Sequence, residues 1–96
     1  MKQQVLRKTL TGAWEAFSFP HKARRFFVKN YSESPIYVSF ENGTAENQSF
    51  KIAAGVGEEV AISYAEIQKD PFAYSVDAIY AKGTGEVEIQ QVDVNL

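Results

Sequence analysis

Apolar and polar residues alternate along several short segments of the chain, a period of two that is typical of β-strands with one buried face. The clearest segments are residues 24–29 and 36–41. Their apolar positions, which we expect in the core, are Phe26, Val28, Ile36, Val38 and Phe40. Both segments are therefore predicted to be strands that each turn one face toward the core.

A polar stretch marked by Pro35 separates these two segments, and we expect them to pair as an antiparallel hairpin. If their apolar positions share one face, Phe27 and Tyr37 must lie together on the other face. Aromatic residues ringed by charged ones resemble the anchor and rim of a protein interface. The predicted partner-contact residues are Arg25, Phe27, Lys29, Tyr37 and Glu41.

Two other interpretations of this aromatic pair stay open. The N-terminal segment can fold over Phe27 and Tyr37 through Trp14 or Phe17, which would make them part of an intramolecular contact. Alternatively, both rings are exposed to solvent. The sequence does not decide among these interpretations.

Further strand-like segments follow at regular spacing. Residues 49–52 and 58–62 flank "AAGVG", whose glycines suit a tight connection. Residues 72–81 alternate, and so do residues 86–94. In the last segment the apolar phase changes at Gln90 and Gln91, which predicts a β-bulge, or else twisting or burial on both faces.

Helical patterns are scarce. Residues 64–69 are predicted to form one short helical turn, because Ser63 and Glu66 have capping-box spacing and Pro71 follows. The first nineteen residues carry a helical apolar stripe but also threonines and Gly12. We favour two short strands there, with a turn at Gly12, because β-branched residues and glycine disfavour a helix.

These elements together predict an all-β fold, an antiparallel β-sandwich with a jelly roll as the suggested topology and one short helical turn. The 96 residues fit one domain, residues 1–96, in which residues 1–19 are an arm or edge strands. A domain this small buries a modest fraction of its surface, so oligomerisation would add to its stability.

Charge is distributed unevenly along the chain. Residues 1–32 contain seven basic residues and one acidic residue, whereas residues 33–96 contain three basic and eleven acidic residues. A basic N-terminal arm for nucleic acid is one interpretation. We prefer a second, in which early basic strands meet later acidic strands or a neighbouring subunit, because apolar residues interrupt the basic ones. No nucleic-acid partner is predicted.

Candidate catalytic chemistry is sparse, so we predict a protein that is not an enzyme. The chain has no cysteine and one histidine, His21, which lies among positive charges. Glu86 and Glu88 share one face of a strand, but at an exposed edge such a pair serves solubility. No catalytic, cofactor-binding or metal-binding residue is assigned. The sequence also shows no signal peptide and no apolar run long enough to cross a membrane.

Aromatic residues raise a different function, the binding of carbohydrate. β-Sandwiches can present aromatic platforms to sugars, and the available rings are Trp14, Tyr31, Tyr37, Tyr64 and Tyr80. Most of these rings are expected in the core of so small a domain. Tyr31, between Asn30 and Ser32, is the best candidate for a glycan contact.

Three stretches of the chain resemble a known class of proteins. They are "FFVKNYSESPIYVSFENG", "SFKIAAGVGEEVAI" and "AYSVDAIYAKGTGEVEIQQ", which together cover roughly residues 24–90. They look like small β-sandwich proteins of the structural modules of tailed bacteriophages and prophages. The resemblance implies a virion component, such as a head decoration protein, a head fibre, or a tail or baseplate accessory.

That resemblance also implies where the protein works and with what. It suggests self-association and docking on other virion proteins, with no cofactor and no catalytic residue. The expected location is the virion, or the bacterial cytoplasm before assembly. The alternative is a carbohydrate-binding module of an adhesin or receptor-binding apparatus.

Overall fold

The computed structural model describes residues 5–61, 75–92 and 94–95 of the chain. The first strands are β1 (Val5–Thr11), β2 (Glu15–Ala23), β3 (Arg25–Asn30) and β4 (Ile36–Ser39). A 3-10 turn, η1 (Glu46–Gln48), precedes β5 (Phe50–Ile52) and β6 (Gly57–Ala61). The remaining strands are β7 (Val76–Lys82), β8 (Thr84–Gln91) and β9 (Val94–Asn95).

These strands form two antiparallel sheets that pack face to face. The four-stranded sheet has the order β1-β8-β3-β6, and the five-stranded sheet has the order β5-β4-β7-β2-β9. In a jelly roll, a sheet of the order β1-β8-β3-β6 faces a sheet of the order β2-β7-β4-β5, and the first eight strands have this arrangement here. The predicted all-β sandwich is therefore confirmed, and its suggested jelly-roll topology is the one observed.

The core lies between the sheets and contains the alternating apolar residues of both inner faces. Phe26 contacts Phe19 and Phe40, with ring centroids 5.8 and 5.9 Å apart, and so links the two sheets by aromatic packing. The fully buried core also includes Phe17, Val28, Ile36, Val38, Ile52, Ile79, Val87 and Ile89. All five apolar positions expected from segments 24–29 and 36–41 lie in or against this core.

The predicted hairpin between residues 24–29 and 36–41 is wrong. β3 lies in the four-stranded sheet between β8 and β6, whereas β4 lies in the five-stranded sheet between β5 and β7. Alternation shows that each strand has one buried face, but it does not show that both faces belong to the same sheet. In a sandwich the two inner faces oppose each other, so the same pattern is satisfied across the core.

A similar crossing occurs at "AAGVG". β5 belongs to the five-stranded sheet and β6 to the four-stranded sheet, so the connection between them changes sheets. The backbone turns where Val56 N–H donates to the Ala53 carbonyl at 3.2 Å and Gly55 takes a φ of +73°. This positive φ explains the glycine, because residues with a Cβ rarely adopt it.

The preference for strands over a helix is confirmed for the described residues 5–19, as is the turn at Gly12, where φ is +101°. β1 is an edge strand of the four-stranded sheet, and β2 lies between β7 and β9 in the other sheet. The helical turn predicted at residues 64–69 lies outside the described residues. Within the described ranges, the 3-10 turn η1 is the one helical element.

The phase change near Gln90 marks a change of sheet, not the predicted β-bulge. β8 pairs with β3 in continuous register up to Gln91, which is opposite Phe26. Three residues further on, β9 begins at Val94 and pairs with Lys22 and Ala23 of β2 in the other sheet. The apolar phase therefore changes where the chain leaves one sheet for the other.

Both edges of the four-stranded sheet carry a charged residue at a position of the inward phase. Lys8 of β1 is opposite the buried Val87, and Glu58 of β6 is opposite the buried Val28. Charged residues of this phase discourage another strand from pairing with the edge. The outermost strands of the five-stranded sheet, β5 and β9, have three and two residues, which leaves little edge to pair with.

Lys8 also closes one side of the sandwich. Its Nζ donates to the Ala16 carbonyl of β2 at 2.6 Å and lies 5.3 Å from the centroid of the Phe17 ring. We expect Lys8→Ala to lower the melting temperature by about 4 °C, since it removes a charged hydrogen bond and the cover over Phe17. Lys8→Met, which keeps the apolar stem, should lose about half as much. Equal melting temperatures for Lys8→Ala and the wild type would contradict this role.

Candidate functional site: the outer face of the four-stranded sheet

The predicted partner-contact residues fall into two groups. Arg25, Phe27 and Lys29 occupy outward positions of β3 in the four-stranded sheet. Tyr37 lies on β4 in the five-stranded sheet, and Glu41 follows that strand. The two aromatic residues therefore do not share a face, and the predicted cluster of five residues is not formed. A partner contact through any of them stays a prediction.

The interpretation in which Phe17 covers Phe27 is also wrong. Phe17 is fully buried between the sheets, whereas Phe27 is half-buried on the opposite side of β3 from the core. Tyr37 is half-buried as well, and its register partners are Lys51 and Lys82. Each ring therefore belongs to the outer surface of its own sheet.

The outer surface of the four-stranded sheet is richer in charged side chains than that of the five-stranded sheet, and we name it the outer face. Pairing registers place its side chains in rows that run across β1, β8, β3 and β6. It comprises the outward residues Val5, Arg7, Thr9, Glu86, Glu88, Gln90, Arg25, Phe27, Lys29, Glu59 and Ala61, with Tyr31 and Val56 at one end. Aromatic, basic and acidic groups thus lie side by side on it.

At its centre Glu88 is held between two basic side chains. Its carboxylate lies 2.7 Å from Arg7 Nη2 and 3.5 Å from Lys29 Nζ. The Glu88 side chain is 12% exposed, whereas that of Arg7 is 56% exposed. The hydrogen bond from Arg7 lowers the pKa of Glu88, and it outweighs the opposing effect of burial.

This position differs from the predicted role of Glu86 and Glu88 as solubilising charges on an edge strand. β8 lies inside the sheet, between β1 and β3. Glu88 therefore lies between basic residues on both neighbouring strands, whereas Glu86 lies opposite Thr9. The pairing of early basic strands with later acidic ones is observed directly in the Arg7–Glu88, Lys29–Glu88 and Arg25–Glu59 contacts.

The lowered pKa of Glu88 makes stability depend on pH in a defined direction. A carboxylate with a lower pKa in the folded state stabilises the fold above its unfolded pKa, and this contribution is lost as pH falls through the folded value. We expect Glu88→Gln to lower the urea midpoint of unfolding at pH 7. The difference in midpoint between the variant and the wild type should become smaller as the pH approaches 3. Glu41→Gln, at an exposed position, is the control. A Glu88→Gln deficit that is constant from pH 7 to pH 3 would contradict the assignment.

Tyr31 stands at one end of the outer face. Its side chain is 51% exposed, and the Arg7 guanidinium carbon lies 5.8 Å from its ring centroid. Shallow depressions of about 350 Å³ lie on either side of it. One is lined by Phe27, Lys29, Val56 and the Gly55 and Gly57 backbone, and the other by residues 32–34 and 84–86. Val56, 38% exposed, adds apolar surface.

The loop that carries Tyr31 is fixed from below by Asn30, which is 1% exposed. Asn30 Nδ2 lies 2.9 Å from the Ser34 carbonyl, 3.2 Å from the Ile52 carbonyl and 3.1 Å from the Ala53 carbonyl. Its Oδ1 accepts from Ser32 N–H at 2.9 Å and from Ser32 Oγ at 2.6 Å. These bonds tie the crossing between β3 and β4 to the end of β5.

The polar groups next to Tyr31 are therefore already used. The amide of Asn30 and the hydroxyl of Ser32 bond within the loop, so they are not available to the sugar that the sequence suggested for this position. A turn at Asn30 was detectable from the spacing of Asn30 and Ser32, because asparagine often bonds the backbone two residues on. Its burial, and its bonds to β5, were not.

The one histidine of the chain, His21, lies half-buried on β2. Within residues 5–61, 75–92 and 94–95, no three His, Asp or Glu side chains lie close enough to hold a metal ion. The buried Nε2 of His21 has no hydrogen-bond partner, and Gln91 Nε2 donates to the His21 carbonyl at 2.6 Å. In the same part of the chain, no helix has the length and apolar character needed to cross a bilayer.

Comparisons with protein-family models, with curated proteins and with solved structures give no match for this chain.

Proposed function

We propose that the chain is a non-enzymatic structural protein of a tailed-phage or prophage virion, such as a head decoration, head fibre, or tail or baseplate accessory. It acts by self-association and by docking on a larger assembly, and the outer face is its contact surface. Support for this role comes first from an analogy of fold, because the jelly roll is a recurrent architecture of viral capsid proteins. The likeness of the three quoted stretches to phage structural proteins stays a prediction from the sequence.

The exposed Tyr31–Val56 end of the outer face is the observation that carries the proposal. Tyrosine with adjacent aliphatic surface is a common anchor in protein interfaces, and a charged rim around it is typical. Phe27 continues this apolar surface toward the centre, and the side chain of Lys29 reaches over its ring at 5.8 Å. The outer face thus combines an anchor with charges that select the partner.

Several side chains of the outer face are held in place by contacts within the chain. Five hydrogen-bond contacts of Asn30 hold the Tyr31 loop in one conformation, and the Glu88 carboxylate fixes Arg7 and Lys29. A surface that is already ordered loses less conformational entropy when it binds. The exposed Tyr31 and Val56 side chains, carried on an ordered surface, therefore favour a binding role for the outer face.

Sedimentation velocity of the full chain tests the self-association directly. We expect the wild type to form a larger species as its concentration rises from about 10 μM to 1 mM, the range for a small, reversible interface. Tyr31→Ser combined with Val56→Ser should remain monomeric. Phe50→Ser is the matched control, because Phe50 is 45% exposed on the other sheet. A wild type that stays monomeric, or a loss of association in the control alone, would contradict the proposal.

Virion membership needs its own measurement. Peptide mass spectrometry of phage particles purified from the encoding strain should detect the chain at many copies per particle. Its presence in the lysate but not in gradient-purified particles would contradict a virion role, even if the chain self-associates.

A carbohydrate-binding module is the second candidate, and one observation favours it. The half-exposed Tyr31 ring stands between two depressions, an arrangement that can stack against a sugar. A glycan array with the wild type and with Tyr31→Ser separates the candidates. Binding that is lost in Tyr31→Ser would favour the carbohydrate function, whereas self-association without glycan binding would favour the structural one.

A further inference from the structure

Charges on the outer face alternate in sign from strand to strand. β1 contributes Arg7, β8 contributes Glu86 and Glu88, β3 contributes Arg25 and Lys29, and β6 contributes Glu59. In the sheet order β1-β8-β3-β6 the signs are therefore positive, negative, positive and negative. Three positive and three negative groups make the face neutral as a whole.

We infer that two copies of the chain pack their outer faces together about a two-fold axis. The axis lies between the two faces, runs parallel to the strands, and passes over the gap between β8 and β3. This inference rests on the proposed self-association and specifies its geometry. An isologous dimer uses the same patch twice, so the patch must complement itself. The order of the charged strands decides which two-fold axis achieves this.

With the axis along the strands, each strand lies over the strand at the mirrored place in the partner's sheet. β1 then lies over β6 of the second copy, and β8 lies over β3. Positive strands face negative strands in every case. With the axis across the strands, each strand would lie over its own copy, and like charges would face each other. Such juxtapositions are unfavourable, so the first geometry is selected.

Tyr31 independently favours the same axis. Rotation about an axis along the strands keeps the Tyr31 end of one copy against the Tyr31 end of the other. Because β3 is next to the axis, both Tyr31 rings meet near it, each above the β8 position of Glu86 in the second copy. Rotation about an axis across the strands sends the two Tyr31 ends to opposite ends of the interface. The exposed aromatic groups then would not bury each other.

The other surfaces of the sandwich suit self-association less well. The outer surface of the five-stranded sheet carries lysines on three strands, Lys51 of β5, Lys82 of β7 and Lys22 of β2, and Lys82 lies 3.2 Å from Glu46. Tyr37 of β4 lies between Lys51 and Lys82 in one row. The lysines of this surface therefore do not alternate with acidic strands as the charges of the outer face do. The long edges at β1 and β6 carry inward-phase Lys8 and Glu58, which disfavour strand addition.

Cysteine cross-linking tests the axis, because the natural chain contains no cysteine and introduced ones are unique. Val5→Cys on β1 and Ala61→Cys on β6 leave every charge of the outer face in place. The register puts Ala61 one outward position from Glu59, which shares a row with Val5. From strand and sheet spacings, the Cα atoms of Val5 and the second copy's Ala61 should lie about 12 Å apart. The Cα atoms of Val5 in the two copies should lie about 17 Å apart.

We expect a short bismaleimide to link an equal mixture of the two variants into a heterodimer, several-fold more than it links either variant alone. Ser18→Cys on the five-stranded sheet should not link. More self-linking of Val5→Cys than linking of the mixture would overturn the inferred axis, as would no linking in variants that still associate by sedimentation. Absence of association in the wild type by sedimentation would instead remove the proposed self-association itself, and this dimer with it.

Discussion

Asn30→Ala is expected to lower the free energy of unfolding by about 4 kcal/mol, because it removes five hydrogen-bond contacts of a buried side chain and leaves the buried Ser32 N–H without its partner. The Asn30 side chain is 1% exposed and contacts three carbonyl oxygens and two groups of Ser32. Each buried polar group that loses its partner costs part of its desolvation energy, and alanine supplies no replacement. Urea unfolding followed by tryptophan fluorescence measures the loss.

A control and a second variant sharpen this prediction. Asn47→Ala changes the same residue type at an exposed position of η1, and we expect a change below about 0.5 kcal/mol. Asn30→Asp keeps the shape but directs an acceptor at three carbonyl oxygens, so it should be at least as harmful as alanine. A loss below about 1 kcal/mol for Asn30→Ala would show that the Tyr31 loop does not depend on this side chain.

Gly85→Ala is the second large effect, with an expected loss of about 3 kcal/mol. Gly85 has a φ of +105°, a conformation that residues with a Cβ rarely adopt. A Cβ at this position would also lie 2.5 Å from the Ser32 Cβ and 3.2 Å from its Cα. Because Ser32 is bonded to Asn30, the clash should also displace the loop that presents Tyr31.

Gly43→Ala separates the two causes. Gly43 has a comparable φ of +82°, but a Cβ there would have no atom within 4 Å. It should therefore cost only the conformational term, about 1 kcal/mol. Equal losses for Gly85→Ala and Gly43→Ala would show that the close approach to Ser32 does not matter.

The sequence predicted the architecture because alternation reports directly on burial. Each strand with one buried face adds to the case for a sandwich, whatever its partners. The partners were harder, as β3 and β4 show. The local pattern predicts a hairpin between these neighbouring strands. In the structure, the buried Asn30 bonds to β5, and the turn after it leads the chain into the other sheet. That choice depends on contacts with β5, whose Ile52 is 22 residues from Asn30 in the sequence.

The candidate site was predicted in part for the same reason. Alternation placed Arg25, Phe27 and Lys29 on one surface, because they belong to one strand. It could not add Arg7 from β1 or Glu88 from β8, since these meet only through the sheet order. Uneven charge along the chain did predict that early bases meet later acids, because opposite charges on adjacent strands stabilise pairing.

Concentration-dependent NMR shifts of the full chain, labelled with ¹⁵N, test most directly whether the outer face is the contact surface. As the concentration rises, amide shifts should change along the outer face, with the largest changes near Arg7, Glu86, Lys29 and Tyr31. Amides on the outward side of the five-stranded sheet, such as Ser18, Tyr37 and Tyr80, should stay constant. Shifts that cluster on that second surface, or spectra that do not change with concentration, would contradict the account.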